Sequence, residues 1–165
     1  GDGRAQHRHQ DVAAVLQPGP QQGEERRAHG GVETEGPRVA DRNVIVYGNA
    51  DSNSAWERLL NVSPVQVRRA RVEIGDRVEL GDDLACLFVR PRPGSDTATV
   101  GVVSGSGTAG MRLTDRLPYF VSGVAYPDCT VMSTDVLVQG IAGVRAAGFF
   151  GLDWSVTNGE FAWRD

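Results

Sequence analysis

Apolar and polar residues fall into two unlike parts that divide near Asp41. Upstream, the longest apolar stretch is 12–16 and no aromatic residue occurs. Downstream, short apolar runs alternate with polar turns. Asn43-Val44-Ile45-Val46-Tyr47-Gly48 is β-branched and unbroken, the pattern of a strand buried on both faces. The capping residues Asn49, Asp51, Ser52 and Asn53 follow, and helical spacing begins at Ala55-Trp56 and runs to Leu60.

From Val65 to Leu80 apolar and charged residues alternate, broken by Gly75-Asp76, which predicts half-exposed hairpin strands at a sheet edge. Two further buried runs follow, 84–89 and 97–103. The second runs into Ser104-Gly105-Ser106-Gly107-Thr108-Ala109-Gly110 and a helical turn or two over 111–117, stopped by Pro118. A strand from Cys129 to Met132, a helix over 136–141 and a last strand near 146–151 complete the pattern. Trp154, Phe161 and Trp163 close the chain, and terminal aromatics of this kind dock on a core or a neighbouring domain.

Strand, polar turn and helix in recurring order predict an α/β fold: a mainly parallel sheet with an appended antiparallel hairpin and short covering helices. The helices are few for a complete doubly wound domain, so one face is expected to need cover from elsewhere. The module spans 41–165, roughly 125 residues, enough to bury one core without staples. Residues 1–40 are rich in Gly, Gln, Arg, Glu and His, and too poor in apolar area to offset the entropy of ordering, so disorder is expected there. Their composition is also that of GC-rich DNA translated in a wrong frame.

Chemistry narrows the picture further. All three histidines, His7, His9 and His29, lie upstream of Asp41, so the foldable part has no imidazole base. A net charge of -4 argues against a nucleic-acid surface. All 17 basic residues are arginine, which coding bias explains as well as any use of guanidinium groups. Cys86 and Cys129 sit in buried-looking strands and read as small core hydrophobes, and without Cys-x-x-Cys or a nearby His no metal site is expected. No apolar stretch has transmembrane length, and the start carries polar residues where a signal peptide needs an apolar one.

Two loops are candidate ligand sites. Asn49, Asp51, Ser52 and Asn53 follow a strand and precede a helix, where backbone amides suit a polar ligand. Capping by Ser52 or Asn53 is the simpler role, and Asp51 would repel an anion. Gly105, Ser106, Gly107 and Thr108 open the second loop, and Gly105, Gly107 and Gly110 satisfy the bare G-x-G-x-x-G pattern. The acidic partner of a dinucleotide site is not evident, and no Lys makes it a phosphate loop. Neither Ser104 nor Ser106 has the G-x-S-x-G surroundings of a hydrolase nucleophile. No catalytic residue, metal ligand or cofactor is assigned. Asp115, Asp128, Asp135 and Asp153 are scattered at loop or cap positions.

From Asn43 the chain resembles a known family. Residues 43–56, 95–103, the glycine-rich loop into Gly110-Met111-Arg112, Tyr126-Pro127-Asp128 and Gly148-Phe149-Phe150-Gly151-Leu152-Asp153-Trp154 are similar to the C-terminal region of large bacterial prolyl-oligopeptidase-like serine peptidases. The resemblance covers about the last three quarters of the chain. It implies an exported parent whose serine elbow lies upstream, and none of the family's active-site residues can be carried to a position here. The chain would then be a non-catalytic module, its partner the parent's catalytic domain, with neither nucleic acid nor membrane involved. The alternative is a free-standing module binding a small ligand, a nucleotide or a sugar, at the two loops.

Overall fold

The computed structural model describes residues 14–15, 41–119 and 121–164. In chain order the elements are β1 (Ala14–Val15), β2 (Val44–Tyr47), α1 (Ala55–Leu60), β3 (Val65–Arg68), β4 (Arg71–Ile74), β5 (Arg77–Leu80), β6 (Ala85–Pro91) and β7 (Thr99–Gly105). There follow α2 (Thr108–Thr114), β8 (Cys129–Met132), α3 (Val136–Gln139), a 3-10 turn (Gly140–Gly143), β9 (Val144–Phe149) and β10 (Glu160–Trp163). The fold is mixed α/β, mostly sheet with few helices. Apart from Ala14–Val15, which lies antiparallel beside β2, the expectation of disorder for 1–40 falls outside the described residues.

The larger sheet has the order β1-β2-β7-β6-β8-β9-β10, and β3-β4-β5 form a separate three-stranded sheet. The expected mainly parallel sheet is corrected here: β2 and β7 are parallel, while every other adjacent pair is antiparallel. The reason is physical. β2, β7 and β8 do run in one direction, as helix-linked crossovers require. β6, however, returns from the small sheet and inserts between β7 and β8, antiparallel to both. A run buried on both faces carries no mark of its direction, so its sequence pattern cannot reveal this.

The appended hairpin is likewise a full antiparallel meander. Val65, Val67, Val72 and Ile74 turn inward while Arg68 and Arg71 stay exposed, so the small sheet covers one face of the larger one.

Alternation sends successive strand residues to opposite faces. Val44, Val46, Cys86, Phe88, Val100, Val102, Cys129 and Val131 join Trp56, Leu59 and Leu60 of α1 in the main core. Ile45, Ala85, Leu87, Val103 and Met132 face the other way and meet Leu113 of α2 in a smaller core. Both cysteines are free and buried, as expected of core hydrophobes. Contact with Cys129, then burial, pushes the Cys86 thiol well above its ordinary value.

The expected helix over 136–141 is only one α-helical turn, continued by the 3-10 turn. It leaves Leu137, Val138 and Ile141 exposed. The aromatic end is drawn in by β10, a strand the sequence pattern did not suggest. Phe161 stacks on Trp163 at 5.6 Å and meets Phe150 edge-on at the same separation. The Arg90 guanidinium lies 5.0 Å from the Phe150 ring centre, and its Nη1 donates to the Trp154 carbonyl. Among the described residues no helix is long and apolar enough to cross a membrane.

Candidate functional site

The parallel pair β2–β7 brings the two strand-end loops side by side. Asn49 is buried and its Nδ2 donates to the Gly105 carbonyl at 2.9 Å, tying one loop to the other. Asn49 Oδ1 accepts the Asp51 amide at 3.1 Å, and the Asn49 amide donates to Ser52 Oγ at 3.0 Å. Asn53 Nδ2 donates to the Tyr47 carbonyl at 2.8 Å, while its Oδ1 accepts the Ala55 amide at 2.8 Å in the first turn of α1. Asp51 accepts Arg68 Nη1 at 2.9 Å and the Arg69 amide at 2.8 Å. The side chains of the first loop are thus bonded to the loop itself and to the strands around it.

The second loop is shaped by close backbone approach. A Cβ on Gly105 would lie 2.3 Å from the Met111 nitrogen, and one on Gly107 would lie 2.4 Å from the Asp82 carbonyl oxygen. On Gly110 it would lie 2.1 Å from the Leu84 carbonyl oxygen. These glycines let α2 sit directly on the chain entering β6, whereas a nucleotide fingerprint would turn that space toward a phosphate. Ser106 is buried, with its Oγ donating to the Gly81 carbonyl at 2.6 Å and accepting the Leu84 amide at 3.1 Å. Thr108 opens α2.

Ser104 is fully buried on the main-core side, and its hydroxyl has no hydrogen-bond partner. No histidine lies within 41–165 to activate either serine. Asp128 Oδ2 accepts the Phe150 amide, and Asp153 closes a local turn with Ser155 and Asn158. Among the described residues no group of three or more His, Cys, Asp or Glu side chains could hold a metal ion.

Asp51, Asp83 and Asp153 are all held below the ordinary carboxylate value, and the first two reach across the fold. The Arg69 amide, aided by Arg68, holds Asp51 below its ordinary value, and the Thr134 hydroxyl and amide do the same for Asp83. Folded pKa values depressed in this way contribute stability that is present above the unfolded value, about pH 4, and lost as pH falls through the folded values. Urea midpoints should therefore drop on acidification below about pH 4. The double variant Asp51→Asn, Asp83→Asn should flatten that part of the profile.

Among the described residues the structure also forms hollows that sequence spacing did not suggest. A polar one of about 490 Å³ lies between α1 and the small sheet, lined by Ser54, Glu57, Asn61, Gln66 and Glu73 among others. An apolar cavity of about 370 Å³ lies on the smaller-core side over β6 and β7. Its walls come from three separated stretches of chain, so the only local signals were Gly101 inside a strand and the sequence Tyr126-Pro127-Asp128.

No protein-family model matches the chain, and no solved structure matches it significantly. An uncharacterized secreted protein of Arthroderma benhamiae is 31% identical to it over 126 residues. The match takes in 74% of this chain but spans only 13% of that protein's length.

Proposed function

We propose that the chain is a non-catalytic C-terminal module of a prolyl-oligopeptidase-like serine hydrolase, packing on its catalytic domain or shaping access to it. The observation that carries the non-catalytic part is the state of Ser106. Its hydroxyl both donates and accepts in holding Gly81 and Leu84 together, with no imidazole within 41–165 to activate it. The packing part draws support from the exposed apolar knuckle of Leu137, Val138 and Ile141, a cluster more typical of a contact surface than of a solvated one. The hydrolase parent rests on the resemblance of residues 43–154, and a secreted relative much longer than the chain accords with an exported, multi-domain parent.

The purified chain should turn over neither ester nor peptide substrates and should take up no fluorophosphonate probe. Covalent labelling of Ser104 or Ser106 would overturn this reading. The parent is checked separately in the adjoining coding sequence, where a G-x-S-x-G upstream in the same frame supports it and its absence removes it. The alternative, a nucleotide- or sugar-binding module, has the contact between its two loops in its favour. The side chains of Asn49, Asp51, Ser52, Asn53 and Ser106 that it would use are already bonded to the backbone around them and to Arg68.

A further inference from the structure

Gly101 stands out among the strand glycines because the fold gives no reason for it. It lies in the middle of β7, between Ile45 of β2 and Val89 of β6. Its backbone is not among those with positive φ. A Cβ placed there would meet Ile45 Cγ1 at 3.8 Å and the Val44 carbonyl oxygen at 4.0 Å, ordinary contacts both. Glycine weakens a strand interior, and one that neither turns nor packs marks a place where something else approaches the backbone.

That place is the floor of the apolar cavity. Alternation puts Gly101 on the side of Ile45 and Val103, and Leu87, Val103, Tyr119, Val124 and Tyr126 build the walls. At about 370 Å³ the space suits a small organic molecule. Asp128, whose Oδ2 accepts the Phe150 amide at 3.2 Å, is the one charged residue among those lining the cavity, so the cavity's own charge complements a cation. Burial raises both Tyr119 and Tyr126 above the usual phenol value, keeping them neutral, and aromatic faces are good neighbours for a cationic or aromatic group.

We propose that this cavity binds a small organic cation, an apolar body about the size of an aromatic ring system resting on Gly101 and carrying a protonated amine to Asp128. The site is independent of the packing role above and involves no covalent step.

The test is calorimetric titration of the full chain with tryptamine, with indole and indole-3-acetate as the neutral and anionic counterparts. Tryptamine should bind saturably and at least tenfold more tightly than indole-3-acetate. Gly101→Val should keep its circular dichroism and melting temperature, or gain in the latter, while losing tryptamine binding. Asp128→Asn should shrink the preference for tryptamine over indole at least fivefold. Should Gly101→Val not fold, Val124→Arg, at a partly exposed wall position, places a like charge at the mouth and should weaken tryptamine at least tenfold. Absence of saturable tryptamine binding, equal binding of the acetate, or tryptamine binding unchanged by a folded Gly101→Val or Val124→Arg would each overturn the proposal.

Discussion

Gly110→Ala is expected to destabilise the protein by about 3 kcal/mol or more, although it adds one methyl group. Its Cβ would lie 2.1 Å from the oxygen, 2.6 Å from the carbon and 3.1 Å from the nitrogen of Leu84, all of them main-chain atoms. No rotamer change can relieve that overlap. α2 must lift from β6, and in lifting it would disturb Ser106, which is bonded to the Leu84 amide and the Gly81 carbonyl. Denaturant unfolding followed by tryptophan fluorescence measures the loss. A midpoint within error of wild type would mean that α2 does not rest on Leu84 as described. Ala109, an exposed neighbour in the same helix, supplies the control: Ala109→Ser should cost only a few tenths of a kcal/mol.

Trp56→Ala should cost about 3 to 5 kcal/mol, comparable to the whole stability of many domains of this size. Trp56 is buried in α1, packs edge-on against Phe88 at 6.1 Å, and donates its indole N–H to Gln66 Oε1 at 2.9 Å. Gln66 in turn donates to the carbonyl of Leu60, the last residue of α1, and to that of Ser63 in the turn that follows, so the ring and the amide together fasten the helix to the small sheet. Trp56→Phe separates the two contributions. It keeps most of the apolar burial and removes the indole donor, so it should lose a much smaller share than the alanine variant. If both variants were equally stable, apolar packing would not be what Trp56 chiefly contributes.

Elements announced by local pattern were legible in the sequence. β2, α1 and the alternating strands of the small sheet occur where β-branched runs, capping residues and period-2 alternation place them. Strand direction was not legible, because Ala85 to Phe88 of β6 are buried whichever way it runs. β10 was hidden for another reason: Glu160-Phe161-Ala162-Trp163 is short and follows a turn-rich stretch, and it becomes a strand through pairing with β9.

The candidate loops show the same limit. That Asn49 and Asp51 belong to a polar turn could be read from residue types. That Asn49 reaches across to the Gly105 carbonyl depends on Val44 pairing with Val100, which local spacing cannot specify. Likewise, the glycines of 105–110 match the bare G-x-G-x-x-G pattern, yet their tightest neighbours are Met111, Asp82 and Leu84. The pattern records a need for close approach without naming what approaches.

The placement of β2 bears on how the chain acquires its shape. β6 and β7 can zip together as soon as their short connection has formed, whereas β2 must wait for β7 although it precedes the entire small sheet. Closing so long a loop is entropically slow, so the rate of folding should be set by this late annealing rather than by any local step. Until it happens the open flank of β7 offers unpaired amides and carbonyls to any passing strand, which makes a half-built chain the form most prone to aggregate.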